Sequence, residues 1–366
     1  APVADAPGSP ARLDNYNDVL LKILASPNVC SKEWIIRQYD HEVQGGSVLK
    51  PLVGIHEDGP GDAAVLTPIL GDWLGLAVGC GINPRYGDLD PYAMAAAAID
   101  EAVRNVVAVG ADPSRIALLD NFCWGNTDRP EVLGSLVCAA EACRDVALAY
   151  NLPFISGKDS LNNEFHAGGR NLVIPPTLLI SALGRVPDVR RCVTMDLKEP
   201  GNLLFLVGAT KDDMGGSHYH FVRGLEGGAV PRPDLDQAPR LFRKLHEAIQ
   251  SGVIRSCHDL SEGGLAVAVA EMAFAGGIGA DVTHLGAVNL PDDVLLFSES
   301  TTRFVVAVRP DKVPAFQACL GNDMPLTQLG QTCKERRLRI AGSNGEWLVW
   351  LELRQLKEAW QKPMRW

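Results

Sequence analysis

No run of apolar residues in this chain approaches the roughly 20 needed to cross a bilayer. The first ten residues, APVADAPGSP, carry neither a basic nor a hydrophobic signal region. The chain is therefore expected in solution in the cytoplasm, with no membrane contact and with residues 1–14 as a linker. Basic clusters are also scarce. The 34 Lys and Arg stand against 44 Asp and Glu, for a formal charge of −10, so no nucleic-acid surface is expected. A small anion held locally by a metal ion or a helix N-terminus is still compatible with that charge. The nine cysteines form no C-x-x-C pair, and the nearest two, Cys138 and Cys143, lie five apart in helix-like sequence. They read as small buried hydrophobes of a reducing compartment.

Several catalytic signatures are missing as well. Cys80 sits in VGCGIN, which is not the G-x-C-x-G elbow of a glutaminase, and no serine occupies G-x-S-x-G. Covalent acyl catalysis is thereby disfavoured. No H-E-x-x-H occurs; His218 and His220, two apart, would face one side of a strand. Gly157-Lys158 looks like the end of a P-loop, but the first glycine of that motif would fall at Leu152, and Asp159 follows the lysine. No repeat of 20 to 50 residues is visible, which disfavours solenoids and propellers.

What is present is a chain of 366 residues with 46% hydrophobic and 21% charged residues, enough for two domains with their own cores. Helical sequence covers 15–38, broken at Pro27, then 91–109 and 131–150. Strand-like runs cover 62–67, 73–79, 115–120 and 172–183. After a boundary near 186, strands are expected at 203–207, 303–308 and 347–353, with helices near 236–251, 261–275 and 311–320. The order is not a strict βαβ alternation, so the fold class is α+β, with domains at 15–185 and 186–366.

The helix from Pro91 is well delimited, with Asp90 as N-cap and Gly110 just past its end. It is apolar nearly all round, yet Glu101 and Asn105 stand four apart on one face. Either Glu101 is satisfied by Arg104 or a backbone N–H, or the two are oxygen ligands for Mg²⁺. Asp62, Asp120 and Asp259 stand at expected strand ends or turns, where a lone Asp is more often a turn or cap residue than a ligand. Lys158 and Ser160, in a polar loop after an apolar strand, could contact phosphate or form a plain surface turn. The turn 211–217 and Ser261-Glu262-Gly263-Gly264 would let backbone approach a ligand closely.

Eight segments, among them QYDHEVQGGSV, GPGDAAVL, LLDNFCWGN, PFISGKDSLNNE, TKDDMGGSHY, HDLSEGGLAVAVAEM and LFSESTTRFVV, occur in an order that resembles one family. It is the synthase subunit of phosphoribosylformylglycinamidine synthase, in the superfamily of aminoimidazole ribonucleotide synthetase. The resemblance implies an N-terminal α/β domain that pairs its sheet with a partner copy and a C-terminal α/β sandwich. It places Mg²⁺ ligands at Asp62, Glu101, Asn105 and Asp259. ATP or ADP contacts fall at Asp120, Gly157 and Ser261, with Lys158 as a phosphate contact, and a substrate contact falls at Ser160. The implied reaction is ATP-dependent conversion of formylglycinamide ribonucleotide to the amidine, with ammonia from a separate glutaminase subunit or domain.

The length departs from that family's full synthase subunit, which carries two tandem copies of the domain pair, with its catalytic histidine motif in the first. This chain corresponds to the second. His41 occupies only a loosely comparable place, and a catalytic residue is not assigned. The missing half, or a second copy of this chain in a homodimer, is the expected partner. Two alternatives stay open: another ATP-dependent enzyme of the superfamily, or a non-catalytic half that holds nucleotide and docks a glutaminase.

Overall fold

The strand Gly75–Ile82 alternates between buried and more accessible residues, as a sheet does when one face meets the core and the other does not. It lies inside the first of two large sheets in the computed structural model, which describes residues 13–39, 41–286 and 289–366. The linker expected at 1–14 falls outside the described residues except for its last two. The first sheet has β1 (Ser47–Leu49), β2 (Ala64–Leu66), β3 (Gly75–Ile82), β4 (Ile116–Cys123), β5 (Phe154–Ser160) and β6 (Thr177–Val186). Their spatial order is β1-β2-β3-β6-β4-β5. Only β4 and β5 run parallel, and their crossover is a 21-residue helix, as a parallel pair requires.

The second sheet holds β7 (Leu203–Val207), β8 (Ser256–Asp259), β9 (Gly279–Val282), β10 (Phe304–Val308), β11 (Leu326–Cys333), β12 (Arg337–Ala341) and β13 (Trp347–Glu352), in the order β8-β10-β7-β11-β9-β12-β13. Here both faces are covered. Phe205 and Val207 join one hydrophobic cluster while Leu204 and Leu206 join the other, so the unbroken apolar run of β7 needs no alternation. Four helices matter for the site: α1 (Pro91–Ala108), α2 (Pro130–Tyr150), α3 (Gln237–Gln250) and α4 (Gly264–Gly276). The first three contribute to a core that also takes in the inner face of the first sheet and one face of the second. Helix α4 and Leu353–Gln361 cover the other face.

Helix α1 forms as its sequence indicates. Asp90 accepts from the Ala93 N–H at 2.9 Å, and Pro91 takes the first position. Its depth against the sheet is set by small residues. A Cβ on Gly81 would stand 2.1 Å from the Ala98 carbonyl oxygen, so only glycine lets α1 sit this close to β3.

Several expectations are corrected. Segment 15–38, grouped by chain position with the first half, packs into the second: Tyr16, Leu20, Ile23 and Leu24 are buried in the cluster behind the second sheet, and the Tyr16 N–H donates to the Leu348 carbonyl. Apolar spacing does not reveal which core receives a helix. The polar stretch after Phe154 is strand through Ser160 and not a loop, because pairing with β4 supplies its backbone partners. Asp120 accordingly lies within β4 and not at its end. His218 and His220 belong to a helix, His218–Arg223, not to a strand. The cysteines are all free, but Cys80 and Cys138 are exposed.

The two halves are joined by a buried carboxylate. Asp100 on α1 accepts from the Tyr150 hydroxyl at 2.7 Å, the Thr302 N–H at 2.9 Å and the Thr302 hydroxyl at 2.6 Å, and it pairs with Arg104. Thr302 precedes β10, so the contact crosses between the sheets. Asp100→Ala is expected to lower stability by about 3–5 kcal/mol by leaving buried donors and the Arg104 charge without their partner. Urea unfolding measures this, and a loss below about 1 kcal/mol would show that the contact is not a structural tie.

Candidate functional site

Three acids that are distant in sequence meet where the end of β8 abuts α1. Helix α1 brings Glu101, β8 ends on Asp259, and the turn before β2 brings Asp62. Asp62 Oδ1 accepts from the Asp259 N–H at 3.0 Å and faces His258 Nδ1 at 2.8 Å. The hydroxyl of Ser261 donates to Asp259 Oδ2 at 2.6 Å and lies 3.3 Å from Glu101 Oε1. Glu101 Oε2 accepts from the Ile82 N–H at 2.9 Å and from the Asn83 amide at 2.7 Å. Arg104 Nε donates to Asp259 at 3.1 Å and a terminal nitrogen to Ser261 at 3.0 Å, while its other end meets Asp100. The sequence offered Arg104 or a backbone N–H as the partner of Glu101; the backbone N–H is the one that serves.

One oxygen in this cluster is left over. The Asp62 side chain is 1% exposed, and its Oδ2 is buried with no hydrogen-bond partner. Such an atom is expensive unless something positive meets it. One ligand atom each from Asp62, His258 and Asp259 lies within 4.8 Å of the others. The two carboxylates of this set suit a hard divalent cation, so Asp62 and Asp259 fit Mg²⁺, while Glu101 is not among these three residues. Asn105 stands one turn beyond Glu101, and its amide donates to the Cys80 carbonyl at 2.8 Å, which leaves its oxygen as the atom able to ligate.

The electrostatics of the cluster are those of crowded acids. Burial pushes the Glu101 carboxyl well up, and the neighbouring charge of Glu262 adds to it. Burial likewise pushes Glu262 up to about 7, an effect His218 opposes and Glu299 reinforces. Burial works against charge on Arg104, but Asp100 and Asp259 outweigh it and hold the guanidinium charged. For His258, burial is again outweighed, here by Asp62 and by Glu271, whose Oε2 faces Nε2 at 3.1 Å.

The remaining sequence-predicted residues form a second group. Asp120 and Gly157 pair across β4 and β5, as do Asn121 with Lys158 and Cys123 with Ser160. A Cβ at Gly157 would stand 2.4 Å from Asp120 Oδ1, so the glycine makes room for that carboxylate. Burial raises the Asp120 pKa, and Asp159 adds to the shift. Lys158 is exposed and its Nζ bonds the Ser160 hydroxyl. Ser261 alone of the nucleotide candidates lies within the acid cluster. Three strand spacings separate β3 from β5, on the order of 14 Å. His41 bonds locally, its Nδ1 3.0 Å from the Tyr39 carbonyl.

His258, Glu271 and Glu299 were not singled out from the sequence, while His218 was considered only beside His220 and Glu262 only as part of a turn. Glu299 is buried and accepts from the Tyr86 hydroxyl at 2.6 Å and from the His218 and Gly263 N–H groups, both at 2.8 Å. His258 stood next to Asp259 in HDLSEGG, and Glu271 is nine residues beyond Glu262. The adjacency of His258 to a candidate acid was the available signal.

Residues 60–186 match the family model for the N-terminal domain of AIR synthase related proteins, and 199–343 match that for the C-terminal domain. The chain is 39% identical over 360 residues to phosphoribosylformylglycinamidine synthase subunit PurL of Methanocaldococcus jannaschii, covering 96% of this chain and 47% of that protein. It spans about half the length of the curated relatives it matches. Thermotoga maritima PurL complexed with FGAR has the same fold over 92% of this chain and 52% of that one, with a TM-score of 0.71 at 19% identity. The ATP complex of the same protein gives 0.68 at 18%, covering 94% and 52%. The chain belongs to the AIR synthase related family and carries that family's N-terminal and C-terminal domains in sequence order.

Proposed function

We propose that this chain is the nucleotide-binding and Mg²⁺-binding second half of a phosphoribosylformylglycinamidine synthase, an ATP-dependent C–N ligase of purine biosynthesis. The observation that carries the proposal is the linkage of Asp62 to Asp259 through the Asp259 N–H and of Asp259 to Glu101 through the Ser261 hydroxyl, with Asp62 Oδ2 left without a partner. Mg²⁺ held by Asp62, Glu101, Asn105 and Asp259 would supply charge neutralisation for the phosphates of ATP or ADP. Ser261 would then lie beside that metal. Asp120, Gly157 and Lys158 would contact the nucleotide along β5, and Ser160 the substrate. The domains divide near residue 186.

In the whole enzyme the amide oxygen of formylglycinamide ribonucleotide takes the γ-phosphoryl group, ammonia attacks the activated carbon, and phosphate leaves. That chemistry calls for positioning and charge neutralisation more than for a protein nucleophile. The named FGAR and ATP complexes of Thermotoga maritima PurL support the substrate and the nucleotide. The ammonia would come from a glutaminase partner. The outer face of the first sheet, with Val78 and Ile155 exposed, is suited to meet the missing half or a second copy of this chain. Free cysteines fit a cytoplasmic setting, and among the described residues no helix is long and apolar enough to cross a membrane.

Glu101→Ala is expected to weaken Mg²⁺-dependent ADP binding by at least about tenfold without unfolding the chain. Titration calorimetry with and without Mg²⁺ reads this, and unchanged affinity would remove the metal assignment. The purified chain, given formylglycinamide ribonucleotide, ATP, Mg²⁺ and ammonium, is expected to bind nucleotide and form no amidine above background. Robust amidine synthesis in that assay would overturn its assignment as an incomplete half.

A further inference from the structure

A cavity of about 270 Å³ is lined by Ser26, Asn28, Arg85, Asp88, His218 and Phe221 together with three prolines. Two of its lining residues hold polar atoms that nothing in the protein satisfies. The Oγ of Ser26, a residue 5% exposed, is buried without a partner, and so is Nε of Arg85. Buried polar atoms are rarely left so. An arginine Nε–H can only donate, so the partner it lacks must be an acceptor.

The rest of the lining fits the same partner. The Arg85 guanidinium is held over the Phe221 ring, 4.1 Å from its centroid, which fixes the plane of the fork. His218 is 3% exposed, and its Nδ1 is 3.2 Å from Glu299 Oε1, which leaves Nε2 for the cavity it lines. Burial works against charge on that ring, and the Glu299 carboxylate outweighs it, so the imidazole pKa is raised. Asp88 is the one carboxylate among the lining residues, set against Arg85 and His218. The prolines and Phe221 give an apolar wall for a small organic body.

We propose that this cavity is a second anion seat, in which Arg85, Ser26 and His218 hold the oxygens of a phosphate group, free or carried on a small sugar. It uses none of the residues assigned to the metal and nucleotide and does not depend on amidine synthesis by the parent enzyme. The loop at Gly215-Gly216 supports the seat from behind: a Cβ on Gly216 would stand 2.8 Å from the Tyr86 ring and 3.2 Å from the Arg85 carbonyl, so glycine there lets the loop press against Arg85.

The test is titration calorimetry of the intact chain in metal-free buffer with inorganic phosphate and with ribose 5-phosphate. Binding is expected for at least one of them, weakened at least about tenfold in Arg85→Gln and severalfold in Ser26→Ala. Tighter binding of ribose 5-phosphate supports a sugar phosphate as occupant, and equal binding supports free phosphate. Ser26→Ala removes a single oxygen, so it keeps the test decisive if Arg85→Gln does not fold. Binding of neither probe, or equal affinity in the wild type and both cavity variants, would overturn the proposal.

Discussion

The buried guanidinium of Arg104 is the contact on which the rest depends. It reaches Asp100 on its own helix, Asp259 at the end of β8 and the Ser261 hydroxyl beyond it, so one side chain spans both halves of the molecule. A charge this deep is tolerated only when its donors are matched, and the two aspartates supply that match. Asp100 is in turn fixed by Tyr150 and Thr302. The position of Asp259, and with it the geometry of the acid cluster, is therefore set by an ion-pair network that also joins the sheets.

Around that network, small residues decide distances. Glu101 reaches the Ile82 N–H because Gly81 offers no Cβ to hold α1 away from β3. Gly264, with φ of +62° and a would-be Cβ 2.4 Å from the Ser298 carbonyl, lets α4 begin directly behind Ser261. These are backbone constraints, and they place acids close enough to repel one another. The raised pKa of Glu101 follows first from burial and then from the charge of Glu262. A cluster held in that condition is suited to a divalent cation, whose charge would relieve it.

Much of the architecture was legible in the residues. The limits of α1 were marked by Asp90, Pro91 and Gly110, and β7 by its apolar run. The short strands β8, β9, β11 and β12 were not, because they are recognised by the partners they pair with and not by their own composition. Polar β5 escaped for the same reason, and segment 15–38 gave no sign that its apolar side would face the second core. Within the site, Glu101 and Asn105 were visible through helical spacing. Asp62 and Asp259 were visible only as isolated acids beside glycines or a helix.

The sequence by itself determined the α+β class, the family and the identity of the acids, because caps, turns and hydrophobic periodicity are local and ordered motifs survive without a structure. Only the tertiary structure decided that Asp62, Glu101 and Asp259 share one place, that Arg104 serves Asp259 and leaves Glu101 to the backbone of β3, and that Ser26 and Arg85 face one cavity. The physical reason is that such contacts join residues up to about 200 positions apart, as Asp62 and Asp259 are. Proximity of that kind is a property of packed sheets and helices and is not written in any one segment.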